Sequence, residues 1–143
     1  MLAPPRTKSV EALHALLQAG HVLDVKTRVE TDEDHGGAHA VTYGDKLLVR
    51  GHEDLTDELR ALVREHRDEL LAAACVMRPP VPWLRVLVDR YRSGYEIEVR
   101  RSGWKGPYPI RLGMVAANVA AFIGLHPAHD GPRLEPIIEE ALR

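Results

Sequence analysis

The chain has 143 residues, of which 45% are hydrophobic and 28% charged, values typical of a soluble globular protein that buries a core. Its net charge of −2 excludes a protein that binds nucleic acid or membranes through overall positive charge. The single cysteine, Cys75, excludes an internal disulfide. The N-terminal residues lack the apolar segment of a secretion signal, and no apolar run reaches the roughly 20 residues of a membrane-spanning helix. A cytoplasmic location is therefore expected.

The first part of the chain predicts a helix followed by a β-hairpin. Ser9 is the expected N-cap of the helix, and Gly20 ends it. A strand is predicted over residues 21–29, followed by an acidic, glycine-rich loop at 30–39. The segment AVTYGDKLLVRG returns as a second strand, interrupted or turned at Gly44-Asp45. Because the segment between the strands is too short for a crossover helix, the two strands are expected to pair as a hairpin.

A capped amphipathic helix is predicted next, in LTDELRALVREHRDELL. Thr56 is the expected N-cap, and Asp57 and Glu58 lie in the first turn, where the helix dipole favours acidic side chains. The helix is expected to continue as one element to about Ala74. Its apolar stripe recurs at helical spacing and comprises Leu59, Leu62, Val63, His66, Leu70 and Ala73.

The second half predicts a further helix, a strand and two closing helices. The prolines of MRPPVP indicate a linker at 76–81, after which a helix runs from about 82 to Gly94. A strand is predicted over 95–101. An alanine-rich helix then ends at Gly124, LHPAHDGP is predicted to be a loop, and RLEPIIEEALR is the final helix, with Pro136 in its first turn.

These elements predict an α+β fold made of two small units. The first, residues 9–75, is helix–hairpin–helix; the second, residues 82–143, is helix–strand–helix–helix. Aligning Gly20 with Gly94 places helix, glycine and strand in the same order in both units. The two units could therefore be divergent repeats, or the match could be chance, because this order of elements is common.

Residues 9–74 resemble the TubC-type N-terminal docking domain of multimodular peptide and polyketide synthases. The shared features are a short helix, then GHVLDV, then DKLLVRG, then LTDELRALVREHRDELL. The chain departs from the family in its longer acidic loop at 30–39 and in having GHED where the family has Pro-x-Gly. The resemblance implies a binding module that docks a partner's C-terminal peptide beside an exposed hairpin strand and that forms dimers.

The expected function is therefore a non-enzymatic protein–protein interaction module, docking a protein or peptide partner and forming a homodimer. An unpaired hairpin edge can accept an extended peptide through main-chain hydrogen bonds. Basic side chains beside that edge could select an acidic peptide, or they could simply protect the edge from aggregation. The candidate partner-binding residues are Lys26, Arg28, Lys46, Leu48 and Arg50.

A nucleic-acid-binding accessory protein is the alternative function. Residues 78–111 carry eight basic and three acidic side chains, an excess of five positive charges, with aromatic residues interleaved. Basic groups neutralise phosphates and aromatic faces stack on bases, although the net charge of the whole chain is below the usual basic footprint. The candidate residues are Arg90, Arg92, Arg100, Arg101, Trp104, Lys105, Tyr108 and Arg111.

Catalytic and metal-binding patterns are weak, so no enzyme activity and no cofactor are expected. Cys75 stands in an apolar run, where cysteine usually behaves as a small buried hydrophobe. The histidines of DEDHGGAH and HPAHD supply only fragments of a zinc ligand set, and no cysteine pair accompanies them. Two solvated polar loops are the favoured interpretation of those segments.

Overall fold

The computed structural model describes residues 7–31, 40–94, 96–97 and 108–143, with only the backbone for residues 96, 97 and 108. These residues form six helices and two two-stranded antiparallel sheets, which confirms the predicted α+β fold. In chain order the elements are α1 Lys8–Gln18, β1 Val22–Thr31, β2 Ala40–Arg50, α2 Asp57–Glu65, α3 Arg67–Met77, α4 Pro82–Arg92, β3 Glu96–Ile97, β4 Tyr108–Pro109, α5 Leu112–Phe122 and α6 Pro127–Ala141.

The predicted hairpin is present as the antiparallel pair β1–β2, and its strand β2 is not turned at Gly44-Asp45. The register changes there instead: Lys26 lies opposite Lys46 but Thr27 lies opposite Gly44, so Asp45 is an extra residue in β2. This is a β-bulge, which bends a strand without ending its pairing. The predicted loop at 30–39 lies mostly outside the described residues, although Glu30 and Thr31 belong to β1.

Helix α3 forms the centre of the molecule. Seven consecutive residues, Leu70–Val76, are buried on all sides of this helix. It contacts both strands of the hairpin on one side and α1, α5 and α6 on others. A helix that is apolar all round is expected only where other elements surround it.

The single helix predicted from Thr56 to Ala74 is wrong, because the chain divides it into α2 and α3. Thr56 does cap α2, accepting a 3.2 Å hydrogen bond from the backbone N–H of Leu59. The break lies at His66, whose ψ of 29° departs from helical geometry. Helix α2 buries no residue completely, whereas α3 is enclosed. One straight helix could not lie on the surface over its first half and in the centre over its second.

At the two ends of α1, one sequence prediction is corrected and the other is confirmed. Thr7, not Ser9, caps α1: its hydroxyl accepts a 3.3 Å hydrogen bond from the backbone N–H of Val10, and Ser9 is buried inside the helix. Gly20 ends the helix with a φ of 86°, a left-handed conformation that favours glycine. That part of the prediction is confirmed.

The predicted loop LHPAHDGP is wrong, because the final helix begins at Pro127 and contains both Pro132 and Pro136. Pro136 lies well beyond the first turn. Each internal proline removes one backbone hydrogen bond. Packing offsets this loss, since Leu134, Ile137 and Ile138 are buried and Gly131 lies close to the backbone of Ala117 in α5.

The buried residues form one hydrophobic cluster that takes side chains from both predicted units. Helix α3 packs on the hairpin of the first unit and on α6 of the second. An ion pair reinforces this contact, with Arg133 of α6 donating a 2.6 Å hydrogen bond to Glu69 of α3. The predicted linker is shorter than 76–81, because Val76 and Met77 still belong to α3. The relation of the two units by repetition stays a prediction.

Within the ranges that the structure describes, no single helix is both long enough and apolar enough to span a bilayer, although α3–α4 and α5–α6 meet that requirement as bent pairs.

Candidate interaction groove

The hairpin has two parts, one packed against the hydrophobic core and one exposed to solvent. The proximal part, Val22–Lys26 with Lys46–Arg50, lays Leu23, Val25, Leu47 and Val49 against the core. The distal part, Thr27–Thr31 with Ala40–Gly44, contributes no side chain to the hydrophobic cluster. There Val29 is 59% exposed and Val41 is 50% exposed, although both are apolar strand residues.

An open groove of about 660 Å³ runs beside the distal part of β2. Its strand wall consists of four consecutive residues, Ala40–Tyr43. Because successive strand residues point to opposite faces, a wall made of four in a row is the edge of a strand and not one of its faces. In the part of the chain that the structure describes, β2 pairs only with β1, so this edge is unpaired. We call this feature the β2 groove.

The opposite wall of the β2 groove comes from the second half of the chain. It is built from the start of α4 and the end of α5, with an aromatic pair at its centre. Trp83 and Phe122 meet edge to face, with ring centroids 5.7 Å apart and an interplanar angle of 84°. Phe122 is buried, whereas 47% of Trp83 is exposed. The remaining residues of this wall are Val81, Pro82, Asn118 and Ala121.

Gly44 is the residue that lets β2 approach the α5 wall. A Cβ atom at this position would lie 2.9 Å from Cε2 of Phe122 and 3.3 Å from Cγ2 of Ile123. Both distances are shorter than ordinary van der Waals contact, so a larger residue would push the strand and the ring apart. The glycine therefore sets the width of the β2 groove at its inner end.

None of the five residues predicted to form the partner-binding edge lines the β2 groove. The two arginines already have internal partners. Arg28 binds Glu30 and approaches Asp45 at 3.4 Å, and the hydrogen bond to Glu30 raises the pKa of its guanidinium. Arg50 approaches Asp24 at 3.6 Å. Leu48, opposite Asp24, is half-buried in the proximal part of the hairpin.

The two lysines are different, because they lie directly opposite each other across the hairpin. Lys26 and Lys46 are paired positions next to the bulge, and both are exposed. Neither forms an ion pair or hydrogen bond with another described residue. Like charges at directly opposed strand positions are destabilising, so this pair has no evident structural benefit.

The residues predicted for nucleic-acid binding are only partly described. Arg90 and Arg92 lie in the last turn of α4, and Arg111 precedes α5 as its N-cap residue. Tyr108 begins β4. The prediction for Arg100, Arg101, Trp104 and Lys105 falls outside the described residues. A surface shared by all eight is therefore untested and stays a prediction.

Of the other candidate chemical groups, those of DEDHGGAH lie outside the described residues, whereas Cys75 and His126 have structural roles. Burial raises the pKa of the Cys75 thiol to about 12, which leaves it without the thiolate that nucleophilic catalysis requires. His126 caps α6: its Nδ1 accepts a 3.1 Å hydrogen bond from the N–H of His129, and its own N–H donates to Asp130 at 2.9 Å. That hydrogen bond holds the pKa of Asp130 below its usual value. Among the described residues, no three metal-ligating side chains form a cluster.

Sequence reasoning found the unpaired strand and missed the opposite wall of the groove. Trp83 carried a signal, because it lies at the edge of the apolar stripe of α4, one turn before Leu87 and beside Leu84. A tryptophan at the edge of a helix stripe is expected to be only partly covered by its own core. Phe122 carried no such signal, since an aromatic residue at the end of an apolar helix is expected to be buried.

Comparisons of the chain with protein-family models, with curated proteins and with solved structures found no match.

Proposed function

We propose that the chain is a non-enzymatic protein–protein interaction module that binds an extended peptide along the β2 groove. The observation that carries the proposal is the unpaired edge of β2 at Ala40–Tyr43, which faces an apolar wall containing the exposed ring of Trp83. An added strand would satisfy the free main-chain groups of that edge. The aromatic wall would supply the buried contact that gives such interfaces most of their affinity.

The positions around the groove favour a peptide that is apolar at one end and acidic at the other. A strand added to β2 would place alternate side chains towards Trp83 and Phe122, where an apolar group fits best. An acidic residue at the end of the peptide, beyond Gly44 at the inner end of the groove, would lie near Lys46, which has no partner among the described residues and lies opposite Lys26. An acidic side chain there would relieve the repulsion between the two lysines.

The resemblance to docking domains supports a hairpin-edge interaction but implies a different surface. The α4 and α5 wall lies entirely outside residues 9–74, the part that resembles the family. The proposed groove therefore needs both halves of the chain, and the first half alone would lack Trp83 and Phe122.

Binding to the β2 groove is tested with peptides from a random linear display library, selected for binding to the whole chain. A selected peptide should bind Trp83→Ala at least about 30-fold more weakly than wild type, the effect expected for a central tryptophan. Val86→Ala is the matched control, because Val86 is exposed on the same helix but does not line the groove. Equal affinity for wild type and Trp83→Ala, measured by fluorescence polarisation, would contradict the proposal.

The acidic preference is tested separately with Lys26→Gln/Lys46→Gln. Binding of an acidic selected peptide should weaken severalfold in this variant, and the salt dependence of its affinity should decrease. Lys8→Gln/Arg64→Gln is the matched control, because it also removes two exposed positive charges but lies outside the hairpin. Unchanged salt dependence in the lysine variant would remove the acidic preference while leaving the groove in place.

The expected homodimer is a second occupant that the same edge could accept. Light scattering over a range of concentrations distinguishes the cases. A dimer that dissociates when a selected peptide is added would mean that a second copy and the peptide compete for β2. A monomer at all concentrations would contradict the dimer and leave peptide binding unaffected.

A further inference from the structure

Three arginines converge on a cleft that the β2 groove does not involve. The cleft has a volume of about 370 Å³ and lies in the elbow between α3 and α4, whose axes are bent by 80°. Arg78 follows the last residue of α3, and Arg85 and Arg92 are seven residues apart on α4, about 10 Å along the helix axis. We call this feature the arginine cleft.

The charge of the arginine cleft is unbalanced. Its lining includes three arginines and one acidic residue, Asp89, which gives +3 − 1 = +2. Although Asp89 lies between Arg85 and Arg92 on α4, no ion pair within 4.0 Å joins it to either arginine, and both arginines lack a partner among the described residues. Arg78 makes one contact, a 3.3 Å hydrogen bond from its Nη1 to Asp24.

Helix-end electrostatics explain only part of this arrangement. Basic side chains near a helix C-terminus are stabilised by the helix dipole, which accounts for Arg78 beyond α3 and for Arg92 in the last turn of α4. Arg85 is the fourth residue of α4, where the dipole gives no such benefit. Its presence in the same cleft requires a different reason.

We propose that the arginine cleft is a binding site for a small phosphorylated molecule. Guanidinium groups match phosphoryl oxygens with paired hydrogen bonds, and two arginines about two helical turns apart can close on neighbouring phosphoryl groups. The apolar residues that line the cleft are Val76, Met77, Pro79 and Val88, and no aromatic ring of a described residue lines it to stack on a base. The cleft therefore fits a compact phosphate group better than a nucleic-acid strand.

The test uses sodium pyrophosphate and inorganic phosphate as probes in isothermal titration calorimetry, with ionic strength held constant by sodium chloride. Wild type should bind pyrophosphate at one site, and more tightly than orthophosphate. Arg85→Gln/Arg92→Gln should bind it at least about tenfold more weakly. Lys8→Gln/Arg64→Gln is the matched control, because it removes two exposed positive charges elsewhere and should leave the affinity unchanged.

Three outcomes would overturn the proposal. The first is that wild type binds no pyrophosphate. The second is that both double variants lose affinity equally, which would mean that pyrophosphate is attracted by the net charge of the protein and not by a specific site. The third is that a single-stranded oligonucleotide binds more tightly than pyrophosphate and that its binding depends on Arg85 and Arg92, which would assign the cleft to nucleic acid.

Thermal unfolding of the apo proteins completes the test. A purely helix-stabilising role would lower the melting temperature of Arg85→Gln/Arg92→Gln without changing the affinity.

Discussion

The two parts of the β1–β2 hairpin share the same strands but contribute differently to the protein. The proximal part lies on α3, and its inward residues Leu23, Val25, Leu47 and Val49 join the core. The distal part adds no side chain to the core and leaves Val29 and Val41 exposed. The change takes place at the bulge, where Asp45 is inserted and Gly44 approaches Phe122.

This difference separates residues that stabilise the fold from residues that are free to bind. Apolar strand residues in the proximal part gain their stability from burial, at roughly 25 cal/mol per Å². The distal residues gain little from folding, because they remain in contact with water. The apolar character of Val29 and Val41 therefore contributes little to stability, and Val41 lies in the β2 groove, where a partner could use it.

The largest expected effect is on the stability of the proximal part. Leu23→Ala should lower the free energy of unfolding by about 2–5 kcal/mol, because Leu23 is only 1% exposed and its removal leaves a cavity above α3. Urea denaturation measures the change. Val29→Ala on the same strand is the control and should change stability by less than about 0.5 kcal/mol. Similar losses in the two variants would mean that the two parts of the hairpin do not differ.

A smaller loss of folding stability is expected at Gly44, where the proximal and distal parts of the hairpin meet. Gly44→Ala should cost about 1–3 kcal/mol, because the added Cβ would lie 2.9 Å from the ring of Phe122. Gly113→Ala in α5 is the control. Its Cβ would meet only a carboxylate oxygen of Glu135 at 3.4 Å, and alanine favours a helix over glycine by up to about 1 kcal/mol. Neutral behaviour of Gly44→Ala would show that β2 can move away from α5 without cost.

The core beneath the proximal part should show a pH dependence at alkaline pH. The pKa of Cys75 is raised to about 12 in the folded protein, above its value of about 8.5 in an unfolded chain. The contribution that the protonated Cys75 thiol makes to the free energy of unfolding is therefore complete below about pH 8.5. It is lost as the pH rises towards the pKa of the folded protein. Between those values wild type should lose about 1.4 kcal/mol per pH unit relative to Cys75→Ala. Parallel curves for the two proteins would mean that the thiol is accessible to water.

Substitutions in the distal part are expected to have the smallest effect on stability. One of them is nevertheless expected to weaken peptide binding. Val41→Ser and Val29→Ser should each change the free energy of unfolding by less than about 0.5 kcal/mol, since both valines are exposed. Only Val41 lines the β2 groove, so only Val41→Ser should weaken a selected peptide. The two side chains lie on opposite faces of the hairpin, because Val29 pairs with Thr42 and Val41 pairs with Glu30. Equal weakening by the two variants would therefore be unrelated to the β2 groove and would contradict binding along the edge of β2.

The sequence predicted the elements whose signals are local. Apolar spacing and the cap at Thr56 located the helices, and the pairing of β1 with β2 followed from the short segment between them. The errors arose where packing overrides local preference. The break at His66 depends on α3 being enclosed, and the helix through Pro132 and Pro136 depends on the burial of Leu134 and Ile137.

The candidate site was predictable only on one side. A free hairpin edge follows from the strand pattern, but the residues expected to bind a partner, on both strands, do not line the β2 groove. The wall opposite depends on α4 and α5 returning to the hairpin through the shared core, a long-range contact that spacing within the sequence does not specify. The charges near the edge were also only partly informative, because Arg28 and Arg50 find acidic partners within the hairpin itself.

Hydrogen exchange of the hairpin amides, followed by NMR with and without a saturating selected peptide, tests strand addition to β2 most directly. We expect alternate amides within Ala40–Gly44 to become protected, because every second N–H of an edge strand points away from its existing partner. Amides of β1 over Thr27–Thr31 should keep their exchange rates. A bound peptide that leaves the β2 amides unchanged, or that protects the β1 edge instead, would contradict the account.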